Sequence, residues 1–128
     1  MAVPSPTLPS RFETAEAFYK TLPGSLNPGP LAVIFAEDSV EVESTLRHHI
    51  KLGFGTVVLF ADADLDLDPE LVVEVIWVVY KPVDAGRFQS FLNPIIAKCP
   101  GTWIYYCFNA EYLFFPFCET RRIGEMLA

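Results

Sequence analysis

The residues of this chain most able to do chemistry are oxygen donors placed directly after apolar runs. Glu37 and Asp38 follow the run Leu31 to Phe35, Asp62 and Asp64 follow Phe54 to Ala61, and Asn109 and Glu111 follow Thr102 to Phe108. If each run is a strand, these side chains collect where strands end. Asn109, Ala110 and Glu111 form the sharpest group, because residues at i and i+2 point to the same side of an extended chain. An amide oxygen and a carboxylate so placed could coordinate a hard divalent cation that also holds a diphosphate. An ordinary turn at a strand end would contain the same residues.

Asp62, Asp64, Asp66 and Asp68 alternate with other residues and invite comparison with a calcium loop, whose ligands begin Asp-x-Asp-x-Asp. The spacing excludes it. Counted from Asp62, Leu67 stands where the loop glycine belongs and Val73 where the bidentate glutamate belongs; counted from Asp64, Pro69 and Val75 occupy those places. Two readings remain: a solvated loop that ends in a helix cap at Asp68, or contact of Asp62 or Asp64 with a ligand.

No G-x-G-x-x-G, no G-x-x-x-x-G-K-[ST] and no G-x-S-x-G occurs, which removes the dinucleotide fingerprint, the P-loop and the nucleophile elbow. His48 and His49 are the only histidines. His49 falls on the apolar side of a helical pattern, where a structural role is expected, and His48 is expected to be exposed. Cys99, Cys107 and Cys118 are odd in number, lack C-x-x-C spacing and sit among apolar neighbours. They read as small buried hydrophobes rather than disulfides, zinc ligands or a nucleophile. Arg121 and Arg122 read as exposed helix surface, with a phosphate contact as the alternative.

These donors need elements to hold them, and the hydrophobic pattern supplies them. Leu31 to Phe35 and Phe54 to Ala61 read as buried strands. Between them, Asp38 to Glu41 has the form of a capping box, and Val42, Leu46, His49 and Ile50 recur at helical spacing until Gly53 stops the helix. Asp68, Pro69 and Glu70 start a helix. Leu71 to Tyr80 fits helix, strand or helix passing into strand, and the favoured reading is a short helix followed by a strand over Ile76 to Tyr80, ended by Pro82. Gly86 to Lys98 reads as a helix with Phe88, Phe91, Leu92, Ile95 and Ile96 on its core face and a kink or break at Pro94. A turn at Pro100 and Gly101 leads into a strand over Thr102 to Phe108, and Glu119 to Ala128 begins another helix.

Before Leu31, Pro4, Pro6, Pro9, Pro23, Pro28 and Pro30 punctuate a leading segment, residues 1–30, whose one short helix is expected within Phe12 to Leu22. Residues 31–128 then form a single domain. Strands alternating with helices imply crossover connections and a mainly parallel sheet flanked by helices on both faces, a Rossmann-like α/β fold. Ligands in such sheets bind beyond the carboxyl ends of the strands, and that is where the acidic residues gather here.

Composition sets the limits. A chain of 128 residues, 52% hydrophobic and 14% aromatic, has the apolar side chains for one core and is no disordered polymer. A net charge of −7 argues against binding nucleic acid or an anionic lipid surface. No apolar run nears the roughly 20 residues of a membrane-spanning helix. The start, Met1 to Pro6, lacks the basic and apolar parts of a signal peptide. A cytoplasmic domain is the expectation.

Order and spacing add a resemblance. Ile34 to Glu37, the helix ending in His49 to Phe54, the strand Val57 to Phe60, Gln89 with Asn93 in the third helix, and then Trp103 to Leu113 resemble the start of a family 2-like glycosyltransferase domain. The likeness covers about Leu31 to Phe115. It implies the GT-A fold, a Rossmann-like sheet that binds a nucleotide-diphospho-sugar. It also implies Glu37, Asp62, Asp64 and Gln89 at the nucleotide-sugar, with Asn109 and Glu111 at a manganese or magnesium ion beside the diphosphate. The implied reaction is displacement at the anomeric carbon of the sugar, the metal neutralising the departing diphosphate.

The sequence departs from the family pattern at several positions. Ala36 stands where the family has an asparagine before Glu37, Asn109 where it has the first aspartate of D-x-D, and Tyr112 where an acidic residue often follows. Asparagine is a neutral, weaker ligand for a hard cation. The family's acceptor-binding half and catalytic base lie further along than this sequence runs, so an incomplete or weakly active domain is expected. A reading from another class competes: a non-catalytic interaction or self-association module on the same sheet. Its basis is the aromatic excess of Tyr105, Tyr106, Tyr112, Phe114, Phe115 and Phe117, which would favour association wherever it is exposed.

Overall fold

The computed structural model describes residues 10–81, 86–115 and 118–127. The expectations that rest on Pro4, Pro6, Pro9, Pro82, Phe117 and Ala128 lie outside the described residues. In chain order the elements are β1 (Arg11–Phe12), α1 (Ala15–Tyr19), β2 (Leu31–Phe35), α2 (Val42–Lys51), β3 (Thr56–Ala61), α3 (Pro69–Val72), β4 (Ile76–Val79), α4 (Phe88–Lys98), β5 (Ile104–Phe108) and α5 (Ile123–Leu127). The strands form one five-stranded sheet in the order β1-β4-β3-β2-β5, parallel at every pairing. The chain is an α/β protein of Rossmann-like type.

The sheet forms because its two central strands are apolar on both faces. Every residue of β2 and of β3 is buried. Side chains alternate across the sheet, so Ala32, Ile34, Val57, Leu59, Trp77 and Cys107 share one face, where α2, α3 and α5 pack through Leu46, Leu71 and Ile123. Val33, Phe35, Val58, Phe60 and Val78 share the other, covered by α1 and α4 through Phe18, Leu92 and Ile95. Phe35 and Phe60 stack at 5.0 Å in the middle of that second layer. Helices therefore lie on both faces, as parallel crossovers require.

Some boundaries differ from the sequence reading for physical reasons. The helix expected within Phe12 to Leu22 is limited to α1, capped by the Thr14 hydroxyl accepting from the Ala17 N–H. The residues just before it join the sheet as β1, where the Arg11 guanidinium lies 4.5 Å from the centre of the Trp77 ring. Residues 10–30 of the leading segment contribute to the core, since Phe12, Ala15 and Phe18 are buried. Helix α2 starts at Val42 without the capping box expected at Asp38. Glu41 adopts a φ of +52° there and makes no side-chain cap, because Asp38 is engaged in the loop before the helix. In α4, Ile96 is exposed rather than on the core face. The buried stripe runs Leu92, Ile95, Cys99, and the position after Ile95 turns outward. The caps at Asp68 and Gly53 form as expected: Asp68 accepts from the Glu70 N–H at 3.0 Å ahead of Pro69, and Gly53 takes φ +95° just past α2. Among the described residues no helix is long and apolar enough to cross a membrane.

His49 is, with Thr45, one of two polar members of the buried α2 face. It is wholly buried, its ring stacks on Tyr105 at 5.4 Å, and its Nδ1–H donates to the Thr45 carbonyl at 2.8 Å. Nε2 is buried without a hydrogen-bond partner. Burial lowers the imidazole pKa from 6.5, opposed by the Thr45 hydrogen bond and helped by the neighbouring His48.

Two stability predictions follow from these contacts. At the start of β3, the Gly55 N–H donates to the Pro30 carbonyl at 2.9 Å, and a Cβ at Gly55 would fall on the Pro28 carbonyl oxygen. Gly55→Ala is expected to lower stability by about 1–3 kcal/mol, read as a lower urea midpoint with an unchanged slope. The neutral His49 contributes stability that is full above the unfolded value near 6.5 and is lost as pH falls toward the lowered folded value. Urea unfolding should therefore show stability falling below about pH 6.5, by up to about 1.4 kcal/mol per pH unit for this one proton. His49→Phe should flatten that part of the profile.

Candidate functional site

The strand order creates a switch point. From β2 the chain steps outward to β3 and β4, and α4 then carries it back to β5 on the other flank of β2. The connections leaving β2 and β5 both run to the α2 face, so the two strand ends meet side by side there and the open crevice at this end of the sheet lies on the other flank of β2. That crevice, beyond β2 and β3, is a cavity of about 210 Å³ lined by Asp38, Asp62 and Asp64 together with Ala36, Ser39, Ala61 and Leu65. Asp38 and Asp62 each fold onto the loop that carries them. Asp38 Oδ1 accepts from the Val40 N–H and Asp62 Oδ1 from the Asp64 N–H, both at 2.9 Å.

Across the switch point, both ends of the Asn109 amide are used. Its Oδ1 accepts from the Glu37 N–H at 2.9 Å, and its Nδ2 donates to Asp38 Oδ1 at 2.7 Å and to the Val40 carbonyl at 2.9 Å. The next residue, Ala110, turns the chain at φ +65° and donates its N–H to the Thr45 hydroxyl at 2.8 Å. Thr45 in turn donates to the Glu41 carbonyl at 2.6 Å. Glu111 is exposed and bends back, its Oε1 accepting from the Phe108 N–H at 2.6 Å.

The residues singled out from sequence therefore divide. Asp62 and Asp64 share the cavity, with Asp38 as a third carboxylate. Glu37 is exposed at the switch point, tied by its N–H to Asn109. Gln89 lies in the first turn of α4, exposed, and does not line the cavity. Asp68 belongs to the helix cap and to an ion pair with Arg47 at 3.0 Å. Arg122 lies against Gly53, at the end of α2 opposite the crevice. Among the described residues, no group of three or more His, Cys, Asp or Glu side chains is arranged to hold a metal ion.

Sequence reasoning passed over the polar stripe on α2 that receives the chain after β5. Thr45 holds Ala110, the Ser44 hydroxyl meets the Tyr112 hydroxyl at 2.7 Å, and His48 Nε2–H donates to the Leu113 carbonyl at 2.7 Å. His48 is half-buried rather than exposed, with the Tyr112 and Phe114 rings at 5.3 and 5.1 Å. The available signal was Thr45, a polar residue inside an apolar helical stripe. The cysteines behave as small hydrophobes. Cys99 and Cys107 are buried, and burial pushes the Cys107 thiol up to about 12 and raises that of Cys99. A nucleophilic thiol needs the opposite shift.

Comparison of the chain with protein-family models, with curated proteins and with solved structures gives no match. The glycosyltransferase resemblance thus rests on the motifs quoted above, and the reading of the crevice rests on its own geometry.

Proposed function

We propose that this chain is a glycosyltransferase-like domain that binds a nucleotide-sugar donor at the carboxyl end of its sheet. The observation that carries the reading is the cavity beside the switch point, where Asp38, Asp62 and Asp64 stand over the small side chains of Ala36 and Ala61. Small residues admit a flat ring, and carboxylates accept hydrogen bonds from ribose hydroxyls. At about 210 Å³ the cavity is smaller than the usual small-molecule pocket of about 300–1,000 Å³. It suits the nucleoside end of a donor better than a whole one. None of the residues lining it is basic, so the diphosphate is best accommodated outside it, with a magnesium or manganese ion brought from solution to offset its charge. This chain's part in any displacement at the anomeric carbon is then to bind and orient the donor.

Thermal unfolding with millimolar UDP- and GDP-sugars, with and without manganese or magnesium, tests the reading. A ligand at about 100 times its Kd should add about 2.7 kcal/mol and raise the Tm. Asp62→Asn keeps an acceptor for the Asp64 N–H but removes the charge, and it should weaken binding about tenfold, in line with the loss of a charged hydrogen bond. A Tm unmoved by every nucleotide, in either metal condition, removes the proposal.

One observation favours a second reading, association of copies through the sheet edge. Strand β5 ends the sheet, Trp103 and Tyr106 on it or just before it are 62% and 45% exposed, and no charged residue occurs from Trp103 to Phe108. An uncharged edge of this kind invites pairing with another chain. Sedimentation velocity should show a mass that rises with concentration and reverts to monomer in Trp103→Lys. A constant monomer mass in the unmutated chain counts the edge out.

A further inference from the structure

We infer that Asn109 is a positioning residue that latches the loop after β2 to the end of β5, holding by amide hydrogen bonds what a bound cation would otherwise bridge. The inference stands on those hydrogen bonds, whichever ligand the crevice takes. Residues Glu37 to Glu41 leave the central strand with no regular structure, and Glu41 has a positive φ. Such a loop holds one shape only if its polar groups are tied down. Asn109 ties three of them: the Glu37 N–H, the Asp38 carboxylate and the Val40 carbonyl, across 69 to 72 residues of sequence.

The partner set fixes which way the amide points. Rotated by half a turn, Nδ2 would face the Glu37 N–H, donor against donor, and Oδ1 would face the Asp38 carboxylate and the Val40 carbonyl, acceptor against acceptors. The side chain that fits must accept at one end and donate twice at the other, which asparagine does. An aspartate at this position would set a second carboxylate where Nδ2 now stands 2.7 Å from Asp38, and like charges that close repel. A cation is the usual bridge between such a pair and a carbonyl. The asparagine amide makes that bridge unnecessary.

Nor does the neighbouring carboxylate offer a ligand set. Glu111 Oε1 accepts from the Phe108 N–H of its own strand end. The residues at 109 and 111 do not fit the metal that the Asp-x-Asp resemblance implies, because Asn109 spends its amide oxygen on the Glu37 N–H and its amide nitrogen on Asp38 and Val40, which leaves Glu111 as a lone carboxylate with one oxygen held by the Phe108 N–H.

Amide hydrogen exchange of the full chain tests the latch. Asn109→Ala should speed exchange at the Glu37 N–H at least tenfold while the Leu59 N–H in β3 keeps its protection. Asn109→Asp should show the same acceleration in EDTA, and millimolar calcium or manganese should slow it again, because the new carboxylate gives a cation charged oxygens to bridge. In the unmutated chain the Glu37 N–H should exchange equally in EDTA and in either cation. Unchanged Glu37 exchange in both variants overturns the inference. So does manganese slowing Glu37 exchange in the unmutated chain but not in Asn109→Ala, since Asn109 would then be a metal ligand. If Asn109→Ala does not fold, the cation response of Asn109→Asp, set against that of the unmutated chain, carries the decision. An absent response there overturns the inference as well.

Discussion

Strand β2 has no polar side chain to offer solvent, and the architecture follows from enclosing it. From Leu31 to Phe35 each residue is buried, so both faces need a helical layer and both edges need a neighbour. β3 takes one edge and β5 the other, in matched register from Leu31 through Phe35. The chain can supply both parallel neighbours only by leaving β2 in one direction and returning past it later. That return places two loops, both leading to the α2 face, at the carboxyl ends of adjacent strands. Their polar groups must then satisfy one another or be satisfied by something bound.

The charge balance of that end follows the same logic. In a chain of net charge −7, the strand-end carboxylates are met mainly by backbone N–H groups close in sequence. Asp38 accepts from Val40, Asp62 from Asp64 and Glu111 from Phe108. These short-range bonds shape the loops before any ligand arrives, and each of them engages one carboxylate oxygen. For Asp62, the second oxygen remains outside that turn, on a side chain that lines the cavity. A rigid, partly satisfied carboxylate positions a ligand hydroxyl at less entropic cost than a mobile one. Asp68 shows the contrasting arrangement, in which the cap and the Arg47 pair engage both oxygens.

What could be read from sequence was what depends on neighbours within a few residues. The buried strands announced themselves as apolar runs with β-branched residues, the α3 start as Asp68 before Pro69, and the α2 end as Gly53. The collection of acidic residues at strand ends was legible for the same reason, since strand order is not needed to know which residues follow a strand. The fate of Asp38 was not legible. Its local pattern is that of a helix cap, but Asn109, 71 residues away, donates to the same oxygen that turns back to Val40. Likewise the two residues of β1 are too few to show a period, and they are a strand only because β4 offers an edge at Trp77 and Val78. The Asp-x-Asp resemblance drew attention to Asn109 and Glu111. It could not show that both side chains would be turned onto backbone.

The two margins of the sheet are finished differently, and the site explains the difference. At one margin β1 is two residues long, flanked by Glu13 paired with Arg11 at 3.1 Å, a short and charged edge that discourages further pairing. At the other, β5 is five residues long and aromatic, with Tyr106 exposed and Trp103 just before it. The chain after β5 returns on the α2 side of that strand, where Leu113, Ile123, Met126 and Leu127 line a cavity with Trp103, Ile104 and Tyr105. Ala110, Tyr112 and Leu113 are drawn over α2 by Thr45, Ser44 and His48, which brings Asn109 to the loop after β2. The same stitch that holds the crevice in shape therefore leads the covering chain toward α2, with Phe114 71% exposed beside it. Fixing the loop after β2 and drawing the chain after β5 onto α2 are two consequences of one set of hydrogen bonds, so a change that loosens the stitch acts on both.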